Sequence, residues 1–574
     1  MKQNVILAGL VLLLLGTATS CGNMLTAESD RYLSQEKNTL SSPNDSVYSI
    51  IGILTKLQTV GDRYVVLGEL RADLMDVTDN ADAELRELNN AKDISADNSW
   101  LDVNDYYIII NHCNYLIKTI DTSVVVSGTY PLRREWAAAK AIRAWTYMQL
   151  AFNFGFAYYL EDPILTVEDA HMDFTEKRMN REAVLAALEQ DLLEVVDVEA
   201  PDYGGVSDYK TEMLLPSVSY LLGEIYLWQN NYERAAYMYH KCILDGELTV
   251  SPVYSTTVYK YDNRYSAWSN FSMLYSMAGG SNNEASMFIP YFRTTTMSAS
   301  YYNQSMLYSL CYVGYKVAPS QRCLDLYSSQ IYQDLTYDLI NEPVIYSGDL
   351  RGEEGSYITK AYDYESGYSS VESSSLEDAN KWADAPIGSA RIYIYNSYES
   401  KVYVQRNSLA YLRYAEAVNR LGKPTLALAV LDYGLAHTNL TDSTKVNQSE
   451  MEWGDTTFTA TREWLDWNYG FSSTETNVGT RQRGQGPSAQ VEFPLEMESL
   501  QDSIDYVEEV LLEECALETS FNGNRYQDLM RFTLHRPEAN YIGKAIGKKF
   551  EDRYQEYVDY FADETNWYLP YVEE

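Results

Sequence analysis

Residues 212–247 read EMLLPSVSYLLGEIYLWQNNYERAAYMYHKCILDGE. Leu222, Gly223, Tyr226, Ala235, Tyr239 and Cys242 fall where a tetratricopeptide repeat has Leu, Gly, an aromatic, Ala, an aromatic and a small residue. The physical need is close approach of two antiparallel helices. Gly223 and Ala235 remove bulk where the helices meet, and the aromatics fill the space between them. A second copy lies near 408–437, with Ala415 in the glycine place and Ala427 twelve residues on, as Ala235 follows Gly223. Two earlier helix pairs are looser versions. Tyr106, Ile109, Ile110, Cys113, Leu116, Ile117 and Ile120 recur at the spacing of one helix face. Residues 134–155 are rich in Ala, Trp and Met and end at a glycine. Asn180 is placed to cap a helix whose apolar face is Val184, Leu185, Leu188, Leu192 and Val195 or Val196. Stacked hairpins bury one continuous core and act as a scaffold.

Between the two clearest copies the texture changes. Residues 251–315 hold eleven Tyr and Trp268 amid Ser, Asn and Gly. Residues 391–395 (RIYIY) and 401–405 (KVYVQ) alternate as short strands placed to pair as a hairpin. Residues 367–378 are Ser-rich and read as a loop, and 438–500 is a second irregular stretch carrying Trp453, Trp464 and Trp467. The expected fold class is mainly α: tetratricopeptide-like helical hairpins forming a scaffold, with a large irregular, loop-rich half containing short β-hairpins. Helical pairs are expected at about 46–250 and 404–437. The irregular ligand-binding half would take about 251–403 and 438–574, all within one body spanning 46–574.

The 574 residues carry 44 Lys and Arg against 82 Asp and Glu, so the formal charge is 44 − 82 = −38. Such a surface repels phosphate backbones and anionic membranes, which argues against nucleic-acid binding. Tyrosines number 52 against 14 Phe and 10 Trp, a surplus of hydroxyl-bearing aromatics suited to wet recognition surfaces. Trp136, Trp145 and Trp228 lie on helical faces and are expected in the core.

Val5 to Leu15 is almost wholly apolar, follows Lys2, and runs into Gly16-Thr17-Ala18-Thr19-Ser20 before Cys21. The run is shorter than the roughly twenty residues that span a bilayer, so 1–20 is expected to be a secretory signal. The small residues abutting Cys21 resemble a bacterial lipobox, with Cys21 the acylated first residue and 21–45 a polar tether. Cleavage by ordinary signal peptidase nearby is the alternative. Cys113, Cys242, Cys311, Cys323 and Cys515 remain, an odd and scattered set that makes no disulfide framework. Buried free thiols are expected, with a Cys311–Cys323 pair as the alternative.

Enzyme motifs are absent from the sequence: no His-Glu-x-x-His, no clustered Cys, no Walker-type loop and no Gly-x-Ser-x-Gly elbow. Arg481-Gln-Arg-Gly-Gln-Gly486 is Gly-rich but lacks the strand-to-helix context of a phosphate cradle. With 82 carboxylates, a glycosidase-like pair can be drawn anywhere and says nothing. No cofactor or metal is expected.

The order of features resembles the SusD/RagB family of Bacteroidetes outer-membrane lipoproteins. Ile142-Arg143-Ala144 followed by Phe154-Gly155 resembles the family's Arg-Ala helix and its Phe-Gly turn. Arg413-Tyr-Ala-Glu-Ala-Val-Asn419 resembles its Tyr-Ala-Glu-Ala helix. Phe521-Asn-Gly-Asn-Arg-Tyr-Gln-Asp-Leu-Met-Arg-Phe532 is close to its Gly-x-Arg-aromatic-x-Asp-Leu-x-Arg-aromatic signature. Ala83-Glu-Leu-Arg86, followed by Trp100, resembles the loop that opens its ligand site. The resemblance implies a non-enzymatic, lipid-anchored lid over a SusC-like TonB-dependent transporter, capturing an oligosaccharide or, in one branch, peptides. It also implies that Arg86 and Trp100 touch the ligand, with Asp73, Asn90 and Asp102 as neighbours able to bond hydroxyls. Tyr261, Tyr265, Trp268 and Tyr291 are added on composition alone. Arg525, Asp528 and Arg531 are expected to pair with one another as structure. The alternatives are a peptide receptor with the same partner, a secreted glycoside hydrolase, and a pure assembly scaffold.

Overall fold

The computed structural model describes residues 43–206, 209–250, 257–261, 264–268, 271, 284–291, 293–294, 302–303, 306–335, 344–353, 355–361, 390–395, 401–452, 478–495 and 497–571. The architecture is mainly α. The early helices are α1 (Pro43–Glu69), α2 (Ala83–Asn90), α3 (Asn104–Thr119), α4 (Pro131–Phe154) and α5 (Arg181–Leu193). A hairpin of α6 (Val218–Trp228) and α7 (Tyr232–Asp245) follows, then α8 (Gln321–Ser328). The later helices are α9 (Asn407–Arg420), α10 (Pro424–Asp432), α11 (Leu500–Thr519), α12 (Arg525–His535), α13 (Tyr541–Lys549) and α14 (Tyr554–Tyr560).

Local chemistry sets the boundaries. Helix α4 opens on Pro131 and stops at Gly155, whose φ of +78° favours a residue without a Cβ. Asn180 caps α5 by accepting the Ala183 N–H at 3.0 Å. Ser499 and Asp502 form a reciprocal capping box at the start of α11. Gly223 sits where a Cβ would come 2.8 Å from the Tyr239 ring, so the glycine lets α6 and α7 close on one another.

Helices α3 and α4 pack together and against α1. Helix α5 joins α4 to α6, α7 bridges α6 to α9, and α11 lies across α9 and α10. Helix α12 then packs on both α11 and α1, which joins the two ends of the sequence. One apolar core runs from Ile50 to Leu569 and takes in Trp145 and Trp228; Trp136 packs half-buried at its edge. Residues from Leu500 onward were expected in the irregular half, but they are helical, because their apolar faces are needed to cover α1, α9 and α10. All five described cysteines are buried free thiols. Cys21 lies outside the described residues. No described helix is long and apolar enough to cross a membrane.

The described strands form two-stranded sheets. The hairpin expected between 391–395 and 401–405 is not formed. Ala390–Ile394 pairs instead with Tyr357–Ala361, and Lys401–Arg406 with Ala285–Pro290. All six residues of Lys401–Arg406 are buried, so this strand needs a partner inside the body, not a neighbour across a surface turn.

Charge is buried at the centre of the helical stack. The fully buried Arg351 reaches Asp349 at 2.8 Å, Glu514 at 2.7 Å and Glu518 at 3.0 Å. Glu518 also takes Arg406 at 2.9 Å and Arg483 at 2.7 Å. Beside it, Arg413 bonds Glu224 at 2.7 Å and also Asp528. Arg531 grips Glu416 through two bonds of 2.8 Å and reaches Asp528 at 3.0 Å. The signature of α12 is therefore structural. The Gly-rich 481–486 segment likewise sends Arg483 into this network and forms a single helical turn, Gln482–Gln485.

The end of α1 docks against the turn before α12 as closely as backbone allows. A Cβ on Gly68 would lie 1.8 Å from the Gly523 carbonyl oxygen. Glu69 accepts the Gly523 N–H at 2.8 Å, and the Arg71 guanidinium lies 3.9 Å over the Tyr526 ring. Asp73 takes Arg525 through bonds of 2.8 and 3.0 Å.

Gly68→Ala must part α1 from this turn. It should cost about 3 kcal/mol, toward the upper end for an overpacked contact, read as a lowered urea midpoint; an unmoved midpoint would mean that the contact is slack. Acid provides a second test. Burial alone would raise the Glu416 carboxyl, but Arg531 and Arg420 overcome burial and hold it at about 2, from an ordinary 4.5. A carboxyl lowered on folding stabilises above its unfolded value and loses that contribution as pH falls from 4.5 toward 2. Glu416→Gln should therefore flatten the fall of stability across that window, and an unaltered acid profile would contradict the pairing.

Candidate ligand-binding site

The segment after Asp73 enters a short ribbon in which Met75–Val77 pairs antiparallel with Val317–Pro319. Two loops leave the same end of this ribbon, 78–82 on one strand and 314–316 on the other, and they are tied together. Thr78 N–H donates to the Lys316 carbonyl at 2.9 Å, and the Thr78 hydroxyl donates to the Tyr315 carbonyl. Asn80 Nδ2 donates to the Gly314 carbonyl at 3.2 Å. Asp82 caps α2 by accepting the Leu85 N–H at 3.1 Å and pairs with Lys316 Nζ at 2.8 Å. Partial burial would raise the Asp82 carboxyl, but these donors hold it below its ordinary range.

Arg86 stands on α2 facing back over the first loop. Its guanidinium donates to the carbonyls of Ala81 at 3.2 Å, Thr78 at 3.1 Å and Asp79 at 2.9 Å. These bonds use Nε and Nη2, and Arg86 is exposed, so the loop it organises holds its guanidinium as a planar donor at the surface.

A stack of tyrosines backs the second loop. Tyr308 lies on Tyr312 at 5.4 Å and 17°, and Tyr312 on Tyr393 at 5.1 Å and 11°. Tyr393 meets Tyr315 at 5.1 Å and 56°, and the Arg391 guanidinium lies 4.8 Å over the Tyr315 ring. The two inner rings are buried, whereas Tyr308, Tyr315 and Arg391 are half-buried. The Tyr312 hydroxyl donates to the Ile394 carbonyl at 3.0 Å. Ser309–Val313 is a π-helical turn, a widened coil common at functional sites, and Tyr315 has φ +43°. A flat aromatic rim beside fixed guanidinium donors suits a ligand with apolar faces ringed by hydroxyls.

The other residues singled out in the sequence are placed differently. Trp100 leaves 9% of its surface accessible and packs in the core. Its turn is clamped to α2 by Asn98, whose Nδ2 donates to the Glu84 carbonyl at 3.0 Å. So little exposed ring cannot serve as a stacking platform, and Trp100 supports the loop from within. Asp73 is fully buried and taken by Arg525; burial would raise its carboxyl, but Arg525 holds it below its ordinary value. Asn90 Oδ1 accepts from Arg553 at 3.0 Å and from the Tyr557 hydroxyl at 2.9 Å, which fastens α2 to the C-terminal helices. Asp102 is exposed, caps the Asn104 N–H at 2.9 Å and lies 3.8 Å from Arg63. The Tyr291 hydroxyl donates to the Gln58 carbonyl at 3.0 Å and packs on α1. Thr257–Tyr261 and Arg264–Trp268 pair as a hairpin, with Tyr261 opposite Arg264 and Tyr265 opposite Lys260. The side chains of Tyr261, Tyr265 and Trp268 lie outside the described residues.

Among the described side chains of the proposed set, Arg86 alone is linked to the tyrosine rim, through Thr78. Sequence reasoning missed Tyr308, Tyr315 and Arg391 on this candidate surface, and the buried Tyr312 and Tyr393 that support them. The alternating run at 391–395 was their one visible trace. Among the described residues, no group of three or more His, Cys, Asp or Glu is placed to hold a metal ion.

No protein-family model and no curated protein matches the sequence. Solved structures do. A SusD superfamily protein from Bacteroides vulgatus superposes with a TM-score of 0.53 at 13% identity, over 92% of each chain. A SusD homolog from Bacteroides thetaiotaomicron gives 0.52 at 14% identity, over 91% of each. A SusD-like carbohydrate binding protein from Bacteroides fragilis gives 0.50 at 14% identity, over 86% of this chain and 87% of its own. At these identities the likeness is one of backbone architecture, and it extends over most of each molecule. The protein has the fold of the SusD superfamily.

Proposed function

We propose that the protein is a non-enzymatic glycan-binding lipoprotein that captures an oligosaccharide and passes it to a SusC-like TonB-dependent transporter. The observation that carries this reading is the joining of Arg86 and the Tyr315–Arg391 pair through Thr78. Arg86 bonds the Thr78 carbonyl and Tyr315 accepts the Thr78 hydroxyl, while Arg391 lies on the Tyr315 ring. Planar donors beside a ring face hold a sugar without chemistry being done to it. A structural neighbour named as a SusD-like carbohydrate binding protein supports the same class. The leader of residues 1–20 before Cys21 supports a lipid anchor, and the SusD-like fold supports placing that anchor in the outer membrane, on the cell surface.

A peptide receptor with the same partner is the second reading, favoured by the charge of −38. A cationic peptide would find Asp79 exposed on the loop that Arg86 organises.

Calorimetry of the protein lacking residues 1–21 against neutral oligosaccharides and a protein digest separates the two. Binding to one glycan class, little changed by salt, is expected. Tyr315→Ala and Arg86→Ala should each weaken it by roughly tenfold, the effect of about 1.4 kcal/mol of lost contact. Binding to peptides alone, weakening as salt rises, would replace the glycan reading, and wild-type affinity in both variants would move the site elsewhere.

A further inference from the structure

A second cleft lies away from the tyrosine rim, between α8 and the end of α13. Its volume is about 780 Å³, and Arg322, Lys548, Lys549, Arg553, Phe550 and Tyr554 line it together with four polar or acidic residues. In a chain with 82 carboxylates against 44 cations, a cation normally finds a partner. Two of the four here have done so. Lys549 Nζ donates to the carbonyls of Leu70 and Ala72 at 2.9 and 3.1 Å. Arg553 binds Glu556 at 2.6 Å and Asn90 at 3.0 Å.

Arg322 and Lys548 have not. Among the described residues neither makes an ion pair or a hydrogen bond, and Arg322 Nε is buried without an acceptor. Lys548 keeps much of its surface in water; partial burial lowers its ammonium, and the charge of Arg322 lowers it further, so the two cations repel one another across the cleft. Asp73 and Glu513 offset part of this repulsion at a distance, but neither bonds Arg322 or Lys548. Asp73 is held by Arg525, and Glu513 accepts from Gln330 at 3.0 Å. Asp325 accepts from Gln321 at 2.8 Å, and Glu551 and Asp552 are exposed at the rim. A buried donor with no acceptor is costly, and the repulsion left between the two cations adds to that cost. Both are removed by a ligand that brings an oxyanion.

We propose that this cleft is a second ligand site, taking a saccharide whose carboxylate or sulfate group sits on the fork of Arg322 and the ammonium of Lys548. A guanidinium matches a two-oxygen edge through parallel N–H bonds, and the lysine adds a point charge. Phe550 and Tyr554, both half-buried, offer apolar surface to the rest of the ring. Phe550 is held by stacking on Tyr557 at 4.7 Å and 15°. The volume falls in the range of small-molecule sites, about 300–1,000 Å³. The saccharide carrier rests on the glycan reading above; the oxyanion does not.

The test is calorimetry of the protein lacking residues 1–21 with glucuronate, glucose and inorganic sulfate in low-chloride buffer. Glucuronate should bind, with glucose inert at the same concentration. The double variant Arg322→Gln/Lys548→Gln should lose at least roughly tenfold, the scale of one charge-assisted hydrogen bond. Because the variant removes an unsatisfied donor and a like-charge pair, it should keep the wild-type circular dichroism and melt no lower than wild type. Sulfate binding without glucuronate binding upholds the oxyanion site and assigns it to sulfate esters. Failure of both anions, or wild-type affinity in the double variant, overturns the proposal. A neutral oligosaccharide titrated in parallel reports on the tyrosine rim alone, so failure there leaves this result standing.

Discussion

The helical stack is organised around guanidinium groups buried among carboxylates. Arg351, Arg406, Arg413, Arg483 and Arg531 are each within a few per cent of complete burial. Taking such charges out of water costs several kcal/mol apiece, which only well-placed partners offset. The arrangement meets that condition by sharing: Glu518 serves three arginines and Asp528 serves two. The net contribution of such pairs to stability is small, but breaking one strands a charge at a cost of about 3–5 kcal/mol. Their effect is therefore to forbid alternatives. Helices α6, α9, α11 and α12 can slide past one another only by uncoupling several pairs at once, so their register is fixed even where their apolar faces are interchangeable.

That register is passed outward to the rim. Asp73, held by Arg525, is two residues before the ribbon that begins at Met75, so the network's edge positions the strand whose loop carries Thr78 and Arg86. The opposite strand carries Tyr315, and the stack behind it ends in the buried Tyr393. The candidate surface, built of loops, is thus hung from the buried charge network, the kind of support that precise positioning requires.

The helical frame was legible in the sequence because its signals are local. Gly223 and Ala235 lie within one hairpin, Asn180 caps the helix that follows it, and Gly155 ends the helix before it. The final helices were partly hidden, since the Arg525–Arg531 signature was recognisable while the apolar faces beyond it were read as irregular. The site was barely legible. Its rings come from segments far apart, with Tyr312 bonding a carbonyl 82 residues away, and no periodicity reports such pairings. The strands at 390–394 and 401–406 were visible as strands, but their partners depend on burial that only the assembled body provides. Arg86 and Trp100 were singled out through the resemblance of their loop to the family's; nothing in the sequence says which way an indole faces.

The contact between Glu69 and Gly523 spans 454 residues. A chain made from its N-terminus forward reaches residue 69 long before the turn that receives it exists. Helix α1 therefore has an unfilled seat throughout synthesis, and the closing of the ring waits for nearly the last segment to arrive. Long-range closure of this kind slows folding. The frame is wired so that its first helix and its last helices lock only once nearly all of the intervening sequence has been made.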